Sequence, residues 1–399
     1  MSMSNDTVVI VGIARTPMGA MQGVFNDVSA TTLGAFAIQG ALADAKLSPS
    51  DVSEVFMGCV LQAGLGQAPA RQASLEAGIP QGVPTTTINK VCGSGMKAIL
   101  LASQSLLCGY SDVVVAGGME NMSRAPYLLP QARSGYRLGH GELNDHMFFD
   151  GLQDASSSTL MGHFAEATAK KYELTRKDQD DFALRSLSRA ALATSEGWFD
   201  REVNPVTITT RKGEVVVKED ESLTNAKPEK IPHLRPAFVK SGTVTAANSS
   251  SIADGAAALV LMKKSLALSQ GVNILAELSG TSEHAHESEW FTTAPVQAIQ
   301  KVSQRSNIAL SDVDLFEINE AFSVVALAAI KDLTLDIEKV NVVGGACALG
   351  HPLGASGARI MVTLIAAMER LDKKRGIASL CIGGGEAIAM AVSRYCSSE

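Results

Sequence analysis

Short unbroken apolar runs alternate with stretches whose apolar residues fall at helical spacing, and this alternation fills most of the chain. Thr7-Val8-Val9-Ile10-Val11-Gly12 is such a run, as expected of a strand buried on both faces. Apolar positions 33, 36, 37, 41 and 42 then predict a helix from Thr32 to Ala45, and Pro49-Ser50-Asp51 marks its exit. Val52 to Val60 reads as a second strand and Leu65 to Ala77 as another helix. Thr85 to Val91 leads into Cys92, after which Met96, Ile99, Leu100 and Leu107 open a helix reaching about Tyr110. Asp112 to Ala116 reads as a strand closing at Gly117-Gly118-Met119-Glu120. Strands alternating with helices imply a mainly parallel sheet with covered faces.

The pattern breaks between about Ser123 and Val244, where charge, Tyr and Pro increase. One helix, Thr175 to Thr194, and a hairpin around Arg211-Lys212-Gly213-Glu214 stand out in a loop-rich insert. Asp254 to Met262 returns to the first core as a strand. The second part of the chain then echoes the first. Ala37-Ile38-Gln39 recurs as Ala298-Ile299-Gln300, and Ser50-Asp51-Val52 as Ser311-Asp312-Val313. Ser94-Gly95 recurs as Ser356-Gly357, and Gly117-Gly118-Met119-Glu120 as Gly383-Gly384-Gly385-Glu386. Four echoes in order, at nearly constant offset, argue for duplicated α/β halves. The expected division is 1–122 plus 246–271, an insert over 123–245, and a second half over 272–399. Two like halves packed about a pseudo-twofold bring the same corner of each into one cleft.

Composition narrows the class. The 399 residues include 35 glycines and few aromatics, which favours tight strand–helix turns over a β-sandwich. A net charge of −7 gives no global basic field for nucleic acid. No apolar run is long enough to cross a membrane, and Met1 to Asp6 carries no basic leader. Cysteines 59, 92, 108, 347, 381 and 396 are scattered, as expected of a reduced, cytoplasmic protein. Metal ligation is not expected. The one close histidine pair, His284-x-His286, reads as a solvated loop.

Chemistry gathers on four stretches. Cys92 sits at a strand-to-helix corner beside Gly93 and Gly95, where a helix dipole is expected to lower its thiol pKa. His351 stands in the Gly- and Ala-rich stretch from Gly344 to Arg359, so it has few local partners and is free to face Cys92 as a base. Cys381 precedes three glycines whose unpaired N–H groups could hold an oxyanion, and it could itself act as a second working thiol, as acid and base. Asn319, in Glu317-Ile318-Asn319-Glu320, reads either as a helix cap or as a residue holding a water in the cleft. Each also has a bland alternative: a small corner residue for Cys92, a satisfied core histidine, a buried core cysteine.

These stretches carry a resemblance. Asn89-Lys90-Val91-Cys92-Gly93-Ser94-Gly95-Met96-Lys97-Ala98, Asn319-Glu320-Ala321-Phe322, Gly344 to Arg359 and Cys381-Ile382-Gly383-Gly384-Gly385-Glu386 resemble the motifs of the thiolase family, in the family's order and across the whole chain. Gly242 to Ser250 is similar too, and the acetyl-CoA acetyltransferase branch is the nearest likeness. The resemblance implies a layered thiolase-like fold and reversible acetyl transfer between coenzyme A thioesters. It implies that Cys92 carries the acyl group, that His351 activates it, and that Cys381 moves the α-proton. The N–H groups of Cys92 and Gly383 would form one oxyanion hole, and a water on Asn319 with His351 the other. Ser250 and Ala246 match pantetheine contacts, Phe238, Ala321 and Phe322 match apolar walls, and Met161 matches the acyl end. Leu160 stands where many short-chain relatives have His. No arginine matches the family's adenine contact, which leaves Arg235 and Lys227 as candidates for the CoA phosphates. The resemblance further implies no metal or redox cofactor, a homo-oligomer (a dimer or dimer of dimers), and a place in lipid metabolism. The alternative is a longer-chain 3-ketoacyl-CoA thiolase of fatty-acid degradation.

Overall fold

The computed structural model describes residues 6–211 and 213–395. Cys396, Lys212 of the predicted hairpin turn and most of the polar N-terminal stretch lie outside the described residues. The apolar run becomes the strand Val8–Arg15, buried along its whole length. It lies near the middle of one long sheet. On one side follow Ala253–Lys263, Val113–Asn121, Glu54–Gly58 and Thr85–Ile88. On the other follow Ala276–Ala285, Glu386–Arg394, Arg375–Ile382 and Leu315–Ile318.

The two wings have the same design. Each begins with antiparallel pairs and ends with parallel ones. Even the parallel outer strand Thr85–Ile88 has a counterpart, reduced to a single parallel bridge between Phe316 and Val340. Among the described residues, strand pairing joins the wings where Val9 and Ile10 meet Glu277 and Ala276. The expected mainly parallel sheet is therefore corrected to a mixed one with more antiparallel pairs. Glu386–Arg394 returns from Arg375–Ile382 through three residues, too few for a parallel crossover. Val113–Asn121 also runs straight through the Gly-Gly pair that was expected to close it.

Each strand feeds two cores because alternate side chains face opposite ways. Val113 and Val115 face the outer helix Ala30–Ala45, whereas Val114 and Ala116 face inward. The inward faces of both wings share one core with two helices, Ser94–Leu107 and Leu353–Arg370. A third cluster packs Ala294–Ser306 and Ser323–Leu333 on the outer face of the second wing. The layers thus run helix, sheet, helix pair, sheet, helix. Leu353–Arg370 is buried on every side as far as Met368. A helix enclosed all round must be apolar or small all round, which accounts for Gly354, Ala355, Gly357 and Ala358.

The helix pair approaches closest at two glycines that are each other's echo. A Cβ on Gly95 would lie 2.8 Å from the Ala358 nitrogen, and one on Gly357 would lie 2.4 Å from the Met96 nitrogen. No side chain fits there, so the two backbones touch. That contact holds the N-terminal ends of both helices, and the residues just before them, in one place.

The insert is less loop-rich than expected. Besides Arg176–Ser195, started by a capping box between Thr175 and Asp178, it contains the helix Met161–Lys171. Its buried residues are Gly162, Ala165, Thr168 and Ala169, too small and too mixed to stand out as an apolar stripe. The hairpin pairs Val206–Thr210 with Gly213–Val217. His284 lies within the strand Ala276–Ala285, and neither histidine of the pair is free in solvent. A His284 ring nitrogen lies 3.0 Å from the Lys301 Nζ, and a His286 nitrogen lies 2.8 Å from the Trp290 carbonyl.

Candidate active site

The turn before Cys92 is set by its neighbours. Val91 is β-branched yet has φ of +47°, in the left-handed region that such residues avoid. Its N–H donates to Asn89 Oδ1 at 3.0 Å. Its carbonyl accepts from Ser94 Oγ at 2.7 Å, and the same Oγ accepts from the Lys90 N–H at 2.8 Å. The buried Ser94 thus closes the turn from both sides. A strained residue of this kind stores roughly 1–3 kcal/mol and persists only when its surroundings dictate it.

Cys92 itself is only 9% exposed. Burial pushes its thiol up to about 11, although the N–H groups of Gly383 and of Cys92 itself pull the other way. The expected lowering is therefore corrected: desolvation outweighs the helix terminus. At neutral pH the sulfur is protonated and needs a base. Only the thiolate reacts with an alkylating agent. Iodoacetamide labelling of Cys92, followed by peptide mass spectrometry, should thus speed up about tenfold per pH unit from roughly pH 7 to 9. A rate that levels off below about pH 8 would show a stabilised thiolate instead.

His351 has the base's geometry. Its N–H donates to the Ser251 carbonyl at 2.9 Å, which anchors the backbone. Ser356 Oγ lies 2.5 Å from His351 Nδ1 and gives its single proton to the Pro352 carbonyl at 2.8 Å. With the hydroxyl proton on the Pro352 carbonyl, the hydroxyl accepts from Nδ1, and that tautomer carries its lone pair on Nε2. Nε2 is buried and has no hydrogen-bond partner. Burial, with the Arg359 charge second, holds the imidazole down to about 3, so it is neutral at physiological pH.

Cys92 and His351 line one cavity of about 420 Å³. Met161, Phe238, Ala246, Ser250, Ala321, Phe322 and Gly383 line it too. Phe238 and Phe322 meet edge to face at 6.1 Å, and the Met161 sulfur lies beside Gly383. Ser250 is fastened by its N–H and its hydroxyl, both donating to the Ala321 carbonyl at 3.0 Å. Asn319 and Cys381 sit just behind these walls, fully buried. Asn319 Nδ2 is 3.5 Å from His351 Nδ1. Asn319 is not a helix cap: the next helix starts at Ser323, and Phe322 precedes it. Burial pushes the Cys381 thiol well up, and nearby Cys92 adds to this. Lys227 and Arg235 are exposed and do not line the cavity.

Several site residues escaped the sequence reading. In the sequence Ser356, five residues after His351, stands out only as part of the repeat. Glu120, also in the repeat, is a buried carboxylate accepting from Val60, Leu61 and Gly354 N–H groups at 3.0, 3.1 and 2.8 Å. It ties the start of the Leu353 helix to the end of the Glu54 strand. Met122, Leu152, Ile252 and Leu353 complete the apolar walls. Nothing in their local sequence distinguishes a cavity wall from a core.

A buried thiol and an imidazole with an unpaired nitrogen line one apolar cavity beside a glycine turn, an arrangement suited to acyl transfer. The comparisons agree. Residues 8–265 match the Thiolase, N-terminal domain, and residues 272–394 match the Thiolase, C-terminal domain. The chain belongs to the thiolase family. It is 50% identical over 392 residues to acetyl-CoA acetyltransferase 2 of Arabidopsis thaliana, covering 98% of this chain and 97% of that protein. It is 48% identical over 390 residues to a probable acetyl-CoA acyltransferase of Staphylococcus aureus (strain bovine RF122 / ET3-1), covering 97% and 99%. The crystal structure of the Bacillus anthracis acetyl-CoA acetyltransferase superposes with a TM-score of 0.96 at 41% identity, covering 99% of this chain and all of that one. Among the described residues, no helix is long and apolar enough to cross a membrane.

Proposed function

We propose that this enzyme condenses two acetyl-CoA to acetoacetyl-CoA and free CoA, reversibly, through an acetyl group on Cys92. The observation that carries the reading is that His351, whose buried Nε2 has no hydrogen-bond partner, lines the same cavity as Cys92. Neither group ionises readily alone. A proton passing from sulfur to Nε2 creates both charges together, and their attraction in a low-dielectric site offsets part of each burial penalty. The sulfur attacks the thioester carbonyl, the oxyanion forms against the Cys92 and Gly383 N–H groups, and CoA leaves as its thiolate and then takes the Cys381 proton, so His351 keeps its Nε2 proton and Cys381 is left as the thiolate. A second acetyl-CoA then loses an α-proton to the Cys381 thiolate. Its enolate oxygen is held by the Nε2–H of His351 and a water on Asn319, its carbon attacks the acetyl group, and the released Cys92 sulfur takes the Nε2 proton back. Incubation with acetyl-CoA and mass spectrometry should find the acetyl group on the Cys92 peptide. Acetylation elsewhere, with Cys92 unmodified, overturns the assignment.

The division into halves belongs to the same reading, with Cys92 supplied by one half and His351 and Cys381 by the other. No metal or redox group takes part in these steps. A homo-oligomer is supported by exposed apolar side chains clustered in the insert: Tyr127, Leu129, Leu138, Leu143 and Phe149. The cytoplasm and lipid metabolism are the setting we infer for it.

We infer a preference for short chains from Met161, whose sulfur lies beside Gly383 where the acyl group would end. Acetoacetyl-CoA is expected to be cleaved with higher kcat/KM than a six-carbon 3-ketoacyl-CoA, and Met161→Ala should narrow the gap. An open pocket would instead gain ~0.8 kcal/mol per buried methylene, so rising kcat/KM with length would favour a degradative 3-ketoacyl-CoA thiolase.

A further inference from the structure

The loop of Cys92 and the turn of Gly383 belong to different halves, yet they touch at successive points. Gly93 makes room for the Ile382 side chain, since a Cβ there would lie 2.4 Å from its Cδ1. Val91 packs toward Gly383. Beyond these contacts, Lys90 pairs with Glu386. Lys90 is two residues before Cys92, and Glu386 is three residues after Gly383. A second carboxylate, Glu283, lies 3.5 Å from Lys90 and 2.8 Å from Lys97. Both lysines come from the first half and both carboxylates from the second. Burial works against the Glu283 charge, yet Lys97 and Lys90 hold its carboxyl below the ordinary value.

Local hydrogen bonds hold each loop to its own half: Asn89 and Ser94 close the Cys92 turn, and the backbone pairing of Ile382 with Glu386 closes the Gly383 turn. Val91 is strained, and a strained residue keeps its conformation only while its surroundings hold it. We propose that the Lys90–Glu386 pair, braced by Glu283 and Lys97, is a positioning clamp that sets the spacing between the Cys92 and Gly383 N–H groups. It rests on the reading of those groups as the oxyanion hole for Cys92 acetylation. An isolated exposed ion pair contributes little to stability. Its effect here is on geometry, because oxyanion donors act only when held at the right separation.

The test is the single-turnover rate of Cys92 acetylation by acetyl-CoA, read by mass spectrometry, alongside steady-state kcat, KM and Tm. Lys90→Met should slow acetylation ~10–100-fold, the size of effect a misplacement of about 1 Å produces, with KM nearly unchanged. Glu386→Gln breaks the same pair from the other half and should do likewise, which keeps the test open if Lys90→Met folds poorly. Lys90→Arg should retain most of the rate, and the exchange Lys90→Glu with Glu386→Lys should recover much of what either change loses. Acetylation at the wild-type rate in both single variants overturns the clamp. So does a loss that neither Lys90→Arg nor the exchange repairs, since charge would then not be the positioning element. A wild-type enzyme that forms no acetyl-Cys92 would instead overturn the underlying reading.

Discussion

Cys381→Ser is expected to acetylate Cys92 normally and to lose condensation by about 10²–10⁴-fold, the usual loss when a general base is removed. The two half-reactions need different groups. Forming acetyl-Cys92 needs a sulfur, a base and an oxyanion hole. Forming the carbon–carbon bond also needs something to take an α-proton, which a thioester gives up reluctantly. Cys381 is fully buried behind the cavity wall, and burial holds its thiol well above the ordinary value. A group so placed becomes a strong base once deprotonated, and serine, far less acidic still, cannot replace it. The measurement is the burst of CoA on mixing with acetyl-CoA, followed by the rate of acetoacetyl-CoA formation. A normal burst with normal condensation would make Cys381 a core residue, the bland reading its sequence also allowed.

The second large effect lies away from the chemistry. Gly357→Ala places a Cβ 2.4 Å from the Met96 nitrogen, in the contact between the two central helices. The obstructing atom is backbone, so no rotamer change relieves it. Overpacking of this kind typically costs about 1–3 kcal/mol. The helices must part, and with them the Cys92 and His351 corners. We expect a lower Tm and, at temperatures where the variant is folded, at least a tenfold loss in kcat, because small misplacements of reacting groups are amplified in rate. Its echo, Gly95→Ala, should behave alike, with its Cβ 2.8 Å from the Ala358 nitrogen. A variant with wild-type Tm and kcat would show that the helix contact is not what holds the site together.

Both effects bear on what could be read from the chain. The repeat was legible because duplicated halves retain the same small residues where backbones must touch; Gly95 and Gly357 are such a pair. The elements were legible where one apolar period dominates, as in Val8–Arg15 and Arg176–Ser195. The helix Met161–Lys171 was not, since its buried face is small and mixed. Strand direction was misjudged for a related reason. Local pattern records which faces are buried, while parallel or antiparallel pairing depends on where the chain returns after a turn or an insert.

By itself, the sequence determined the family, the duplicated α/β plan and the residue types at Cys92, His351, Cys381 and Asn319, because motifs and periodicity are properties of neighbours along the chain. Only the tertiary structure decided the electrostatic state of those residues. Burial raised the Cys92 thiol against the pull of its backbone donors, and the fold brought Ser356 against His351 Nδ1. It also decided the clamp across Lys90 and Glu386, and the walls at Met122, Leu152 and Ile252. Desolvation, tautomer choice and cavity shape depend on what approaches from distant parts of the chain, and no local pattern carries that information.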